Sequence, residues 1–174
     1  MENTNINTDQ WLTNNKHYVE QREAGTASGI SSSMHTVVIT CMDCRIMIES
    51  ALGLKPGQAF VIRNAGNIVT DDVVRSLTLA VQTAGIQEVM VIGHTDCAVG
   101  KLDEPAFKTE LQQQYPEGVK HDLTPTCFHA FSDVLENVRK QVQTLKSHPY
   151  FKNLSSIRGF VYDIRTGKIS DINE

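Results

Sequence analysis

The chain is predicted to form an α/β domain with a mostly parallel central sheet of about four strands plus an edge strand, flanked by helices. Short runs rich in β-branched residues alternate with longer stretches of helical period, as in parallel strands joined by crossover helices. The runs are nearly continuous in apolar character, as strands covered on both faces must be. At 174 residues the chain suits one domain that folds without disulfides.

Each element follows from a local pattern. The predicted strands are residues 36–40, 59–62, 89–92 and 157–162, with an edge segment at 169–172. Apolar residues at 73, 77, 80, 81 and 84 form one helical stripe, which Gly85 ends. A second, longer stripe from Phe128 to Leu145 predicts a helix with Thr124 as its N-cap and Pro125 as its first residue, which ends at His148-Pro149. Residues 101–123 between them read as a loop-rich insertion with one short helix.

The N-terminal part differs in composition from the rest. Residues 8–23 predict a short surface helix extending from the body, and 24–33 a linker rich in serine and glycine. We therefore divide the chain at residue 34, into an N-terminal helix with its linker (1–34) and a single α/β domain (35–174).

Composition argues against several classes of partner. The formal charge is −4, from 16 Lys+Arg and 20 Asp+Glu, and no basic run is present, so nucleic acid and anionic lipid are poor candidates. No apolar stretch approaches the roughly 18 residues of a membrane span, and the N-terminus lacks the pattern of a secretory signal. We expect a cytoplasmic protein whose four cysteines are thiols, some of them free to bind metal.

Three metal-binding side chains follow predicted strands. Cys41 comes directly after the first strand, and His94 and Cys97 come after the third. Loops that leave neighbouring parallel strands converge at one edge of the sheet, so these side chains can meet. Two thiolates and one imidazole form a known catalytic zinc set with a fourth position left open. The alternatives are cysteines buried as small hydrophobes, or a structural site completed by Cys44.

Asp43 and Arg45 stand close to the first of these cysteines. In a segment leaving a strand, alternate residues project the same way, so Cys41, Asp43 and Arg45 can share one wall. Arginine keeps a neighbouring carboxylate ionised and fixes its orientation. The alternative is an ordinary surface ion pair on a turn.

These motifs together resemble the β-class carbonic anhydrases, zinc enzymes that hydrate carbon dioxide. The resemblance extends from about residue 11 to 172 and is weakest over 101–123. It is carried by Cys41-Met42-Asp43-Cys44-Arg45, by Gly93-His94-Thr95-Asp96-Cys97, and by residues 56–67, 70–77 and 159–167.

The resemblance implies a set of roles for these residues. One Zn2+ per chain is held by Cys41, His94 and Cys97, and Asp43 and Arg45 are the catalytic pair. Asp43 accepts a hydrogen bond from the zinc-bound hydroxide or, in a closed state, ligates zinc, while Arg45 holds Asp43. A homodimer or homotetramer is implied, with the N-terminal helix packing on the partner subunit.

Three functions stay open at this point. The first is hydration of carbon dioxide to bicarbonate, with His17, His35, His121 or His129 as candidate proton shuttles. The second is hydrolysis of carbonyl sulfide or carbon disulfide on the same scaffold; Ala98, where many family members have glycine, favours a narrower pocket. The third is a zinc-stabilised module without turnover. Ile46, Ile62, Ala65 and Ala98 are candidate pocket-lining residues.

Overall fold

The computed structural model describes residues 7–21 and 32–173. Within these residues one five-stranded sheet forms the centre of the molecule, with strand order β2-β1-β3-β4-β5. Strands β1 to β4 are parallel, and β5 pairs antiparallel with β4 at the edge. The predicted fold class is confirmed. The strands are β1 (Thr36–Cys41), β2 (Ala59–Asn64), β3 (Glu88–His94), β4 (Ser156–Tyr162) and β5 (Ile169–Asp171).

Helices and short turns of helix connect the strands. In the described part of the chain the α-helices are α1 (Asn7–Gln21), α2 (Ile48–Leu52), α3 (Asp71–Ala84), α4 (Glu104–Gln114) and α5 (Val134–Ser147). Helix α3 has Asp71 and Asp72 in its first turn and, as predicted, ends at Gly85, whose φ of 64° is left-handed. Short 3-10 turns lie at Ala65–Asn67, Val99–Lys101, Gly118–Lys120 and Pro149–Phe151.

The sheet is covered on both faces by apolar side chains. Val37 and Ile39 of β1 point to the face on which α3 and α5 pack, and Val38 points to the other, because successive strand residues alternate. The cluster of buried side chains that contains Val38 also contains Cys41 and Cys97, together with Ile46, Ile48, Ile92, Phe160 and Tyr162. Two of the predicted metal ligands therefore lie within an apolar cluster.

The predicted start of the last long helix is wrong. Helix α5 begins at Val134, where the Asp133 carboxylate accepts a hydrogen bond from the Glu136 N–H at 3.0 Å. The preceding segment turns back on α4 instead. There the Glu104 carboxylate accepts hydrogen bonds from the N–H groups of Phe128 and Ala130, each at 3.0 Å. These tertiary bonds replace the helical hydrogen bonds that the periodicity suggested.

Helix α1 carries an exposed apolar edge. The side chains of Trp11, Leu12, Tyr18 and Val19 are all more than half exposed. The predicted helix is present, whereas most of the predicted linker lies outside the described residues. None of the described helices has the length and apolar character needed to cross a membrane.

Glu104 gives this segment a pH-dependent stability. Hydrogen bonds from Lys108 and from the backbone N–H groups of Phe128 and Ala130 lower the pKa of Glu104 from 4.5 to about 2. A carboxyl whose pKa falls on folding stabilises the native state above its unfolded pKa, and this stabilisation is lost as the pH falls toward its folded pKa. We expect Glu104→Gln to lower the melting temperature by a few degrees at about pH 6 and by less at about pH 3.

Melting curves of wild type and variant at both pH values measure this. Glu110→Gln, at an exposed position of the same helix, is the matched control and is expected to match the wild type at both. If Glu104→Gln lowered the melting temperature equally at the two pH values, the stabilisation would not come from the ionised Glu104 carboxylate.

Candidate metal centre

Adjacent strands bring the three predicted ligands together. Strands β1 and β3 pair in parallel, with Thr40 opposite Ile92, so Cys41 and His94 leave the same edge of the sheet side by side. Cys97 follows three residues after His94 on a short turn. The ligand atoms of Cys41, His94 and Cys97 all lie within 4.8 Å of one another, and all three residues are buried. This group could hold a metal ion.

The imidazole of His94 is oriented by the backbone of the residue that follows it. Its Nδ1 lies 2.9 Å from the carbonyl oxygen of Thr95. Because a carbonyl can only accept, Nδ1 carries the hydrogen, and Nε2 of the neutral ring presents a lone pair. That Nε2 is buried and has no hydrogen-bond partner among the described residues. An orphaned buried acceptor beside two sulfurs fits a metal ligand.

The two cysteines differ in acidity. The neighbouring Cys97 thiol, as hydrogen-bond donor, lowers the pKa of Cys41 to about 4 against the opposing effect of burial. The Gly66 N–H also donates to the Cys41 sulfur at 3.3 Å. The pKa of Cys97 is raised, because its thiol donates to Cys41 and its ionisation would place a second negative charge in a buried site. A negative charge in the pair is therefore favoured on Cys41, and a second charge on Cys97 is opposed by burial and by the first.

His94 responds to the same charge. Burial lowers its pKa, but the Cys41 sulfur, the Thr95 carbonyl and the negative charge of Asp43 outweigh burial and leave the pKa above its ordinary value. A cation that binds at this point would therefore compete with protons chiefly at His94 and Cys97, whose pKa values are both raised.

Gly66 allows the backbone to approach Cys41. Its φ of 79° is left-handed, a conformation that glycine adopts without a steric penalty. A Cβ at this residue would also come within 3.3 Å of Phe131 and Val99. The local turn therefore depends on glycine to deliver its N–H to the sulfur.

The residues present fit a zinc ion. Sulfur and imidazole nitrogen are the donors that zinc prefers, and three protein ligands leave a fourth position for a small molecule. Cys44 is exposed and is not part of the group. The structure therefore does not bring together the four protein ligands of a structural site among the residues it describes.

Asp43 and Arg45 form a paired contact beside this group. Arg45 donates from Nε to Oδ1 of Asp43 at 2.9 Å and from Nη2 to Oδ2 at 2.7 Å. The backbone N–H of Arg45 also donates to Oδ1, at 2.9 Å. These hydrogen bonds hold the pKa of the Asp43 carboxyl well below its usual range. Asp43 is therefore an oriented, ionised acceptor, and its side chain is only 13% exposed.

Two residues that the sequence interpretation did not single out support this loop. Arg63 donates from Nε to the carbonyl of Cys41 at 3.0 Å and from Nη2 to the carbonyl of Asp43 at 2.8 Å. Asp96 accepts from Nη1 of Arg45 at 2.8 Å. Both residues lie in motifs that were recognised, but contacts to backbone carbonyls and between loops leave no spacing pattern in a sequence.

The other candidate residues are distributed around the molecule. Ile46 is buried in the cluster that contains Cys41 and Cys97, whereas Ala65 and Ala98 are exposed and Ile62 packs toward the α3 face. His35 precedes β1, at the opposite end of that strand from Cys41, and its Nδ1 lies 3.0 Å from the Gly85 carbonyl oxygen. His35 therefore lies too far from Cys41, His94 and Cys97 to contact their ligand atoms directly. The remaining candidate shuttles, His17, His121 and His129, are exposed.

Comparison with known proteins gives the family. Residues 36–169 match the sequence model of a family described as carbonic anhydrase. Beta-carbonic anhydrase 1 of Mycobacterium bovis is 34% identical over 171 residues, covering 95% of this chain and 97% of the relative. The chain belongs to the β-class carbonic anhydrase family.

The family relationship extends to the structure and to a second activity. A carbonic anhydrase from Streptococcus mutans has the same fold, with a TM-score of 0.85 and 34% identity, covering 97% of this chain and 98% of the other. Carbon disulfide hydrolase of Saccharolobus solfataricus is 34% identical over 161 residues, covering 81% of this chain and 78% of the relative. The resemblance found in the sequence is confirmed, and this β-carbonic anhydrase family includes enzymes with different substrates.

The ligand assignment predicts a selective loss of zinc. We expect Cys97→Ala to lower the zinc content from about one ion per chain to near zero after dialysis against a mild chelator, because two ligands hold zinc poorly. Elemental analysis of the purified protein measures the content. Cys44→Ala is the matched control and is expected to keep its zinc. Full occupancy in Cys97→Ala, or loss in Cys44→Ala, would contradict the ligand set.

Proposed function

We propose that this β-carbonic anhydrase family member catalyses the zinc-dependent hydration of carbon dioxide to bicarbonate. The observation that carries the proposal is the buried Nε2 of His94, which lies beside the sulfurs of Cys41 and Cys97 and has no hydrogen-bond partner within residues 7–21 and 32–173. These three residues would hold one Zn2+ per chain. When bound, zinc lowers the pKa of a coordinated water toward about 7 and so supplies a nucleophile near neutral pH.

Asp43 has the hydrogen-bonding capacity to orient the attacking oxygen. A carboxylate offers about four lone-pair sites. Among the described residues, Oδ1 accepts the Arg45 backbone N–H and Nε, and Oδ2 accepts Nη2. One site on Oδ2 is therefore left. Since Asp43 is ionised, it accepts a hydrogen bond from the attacking group and does not donate one.

The surroundings suit a small and weakly polar substrate. Cys41 and Cys97 are packed with Ile46, Ile92 and partly buried Val99. An apolar wall excludes bulk water and strengthens the electrostatic interactions of Asp43. In the reaction, the oxygen of water forms a bond to the carbon of carbon dioxide, and the electron pair of one C=O π bond moves to the oxygen of that bond. One proton is released to solvent, which leaves bicarbonate.

Replacing the Asp43 carboxylate separates its role from metal binding. We expect Asp43→Asn to keep its zinc and to lower kcat/KM for carbon dioxide by about 10- to 100-fold, because an amide presents hydrogens where the reaction needs an acceptor. Stopped-flow hydration assays and elemental analysis measure the two quantities.

The matched control uses another Asp–Arg pair. Asp72 lies 3.7 Å from Arg75 on the exposed side of α3, and Asp72→Asn is expected to retain full activity. An unchanged rate in Asp43→Asn would remove Asp43 from the mechanism.

A second substrate class is supported by one relative. The same nucleophile can attack the carbon of carbon disulfide or carbonyl sulfide, with hydrogen sulfide as a product. The 34% identity to a carbon disulfide hydrolase favours this alternative. Ala98 directly follows Cys97, is exposed and has helical backbone angles, so the turn holds its methyl group without backbone strain.

Rates on the three substrates test the proposal directly. We expect the zinc-loaded protein to hydrate carbon dioxide with the highest kcat/KM, measured beside carbonyl sulfide and carbon disulfide in one buffer. Cys97→Ala protein serves as the blank. A higher kcat/KM for either sulfur compound would assign the chain to the hydrolases, and turnover of none would indicate a zinc-stabilised module.

We also propose that the protein assembles as a homodimer or homotetramer. The exposed apolar edge of α1, formed by Trp11, Leu12, Tyr18 and Val19, suits burial against a second subunit. The division into residues 1–34 and 35–174 rests on the difference in composition between the two parts and stays a prediction.

A further inference from the structure

Arg45 joins the two loops that carry the metal-binding group. Its Nε and Nη2 donate to Asp43, which follows β1. Its Nη1 donates to Oδ2 of Asp96 at 2.8 Å, and its Nη2 also donates to the Asp96 carbonyl at 3.0 Å. Asp96 stands between His94 and Cys97 on the loop that follows β3. Four of the five guanidinium hydrogens are thus engaged, two on each loop.

We propose that Asp96 is a positioning residue that fixes Asp43 through Arg45. The inference rests on the proposed function, in which Asp43 orients the attacking group. Asp96 is not one of the three residues whose ligand atoms come together. It anchors the guanidinium, and the guanidinium in turn holds the carboxylate that works at the site.

The Asp43–Arg45 pair alone would be a weak anchor. Both residues belong to one short turn and can move together, and the Arg45 side chain is 45% exposed. Exposed ion pairs are weak because water screens them and long side chains lose freedom on pairing. Asp96 ties the pair to the loop of His94 and Cys97, so the distance between Asp43 and that loop becomes fixed.

The backbone at Asp96 supports this role. Its φ is 58°, a left-handed conformation in which most side chains are disfavoured. Glycine, asparagine and aspartate tolerate it best, and of these only aspartate brings a negative charge. The other carboxylate oxygen, Oδ1, pairs with Lys101. Asp96 is therefore held between two cations, and its Oδ2 is kept on Arg45.

Because glycine and asparagine also tolerate this backbone conformation, Asp96 can be replaced by either without straining the turn. Asp96→Gly removes the carboxylate at a position that suits glycine, and Asp96→Asn keeps the shape but removes the charge. The matched control is Asp171→Asn, which breaks the Arg158–Asp171 pair at the edge of the sheet. We expect Asp96→Gly to keep its zinc and its KM and to lose about tenfold in kcat, with Asp96→Asn between it and the wild type.

The position of Arg45 is measured independently of turnover. In the zinc-loaded protein, nitrogen-15 NMR reports hydrogen exchange at Arg45 Nε and rotation of its guanidinium, with Arg45→Lys providing the assignment. We expect faster exchange and rotation in Asp96→Gly than in wild type or Asp171→Asn. Unchanged exchange and rotation in Asp96→Gly would overturn the proposal, whatever the activity.

A double-mutant cycle separates positioning from a general structural effect. In an Arg45→Gln background the guanidinium is absent, so adding Asp96→Gly is expected to change kcat by less than about twofold. An equal, roughly tenfold loss in both backgrounds would show that Asp96 acts without Arg45 and would overturn the proposal. Failure of the proposed function is a different result: wild-type zinc protein would then turn over none of the three substrates, while the NMR comparison would still decide whether Asp96 holds Arg45.

Discussion

The pairing of β1 with β3 is the constraint on which the site depends. These strands are adjacent in space although β2 and α3 lie between them in the chain. Their parallel register places Cys41 beside the end of β3, so a thiol and an imidazole meet without any loop having to reach across the molecule. The buried Thr40 hydroxyl donates to the Ile92 carbonyl at 3.0 Å and reinforces the pairing next to the ligands. A shift of one residue in this register would turn Cys41 to the opposite face.

Burial determines the chemistry of the ligand group formed by Cys41, His94 and Cys97. Two sulfurs and an imidazole stand in an apolar cluster, where an unpaired charge is costly. Among the residues that the structure describes, the buried Nε2 of His94 has no hydrogen-bond partner. A divalent cation would neutralise the negative charge on sulfur and would accept the lone pair of the His94 nitrogen. In sites of this kind, metal binding is generally coupled to folding.

Much of this arrangement follows from the sequence because parallel α/β topology is highly regular. Strand ends are readable as the ends of apolar runs, and the regularity then places Cys41, His94 and Cys97 at one edge. The start of α5 was predicted wrongly because Phe128 and Phe131 continue a helical spacing by coincidence. Phe128 instead packs edge-on against Phe107, with ring centres 5.0 Å apart. Arg63 and Asp96 were missed because their partners are carbonyl groups and a residue of another loop, which only the folded chain brings near.

The Thr95 carbonyl that fixes His94 belongs to the very next residue along the chain. Many metal-binding histidines rely on a distant carboxylate for the same service. Here a main-chain carbonyl fixes the tautomer of His94. Substitutions elsewhere in the chain, natural or designed, therefore leave the hydrogen on Nδ1. Residues around the site can therefore be exchanged to suit a new substrate without changing the tautomer or orientation of the His94 ring.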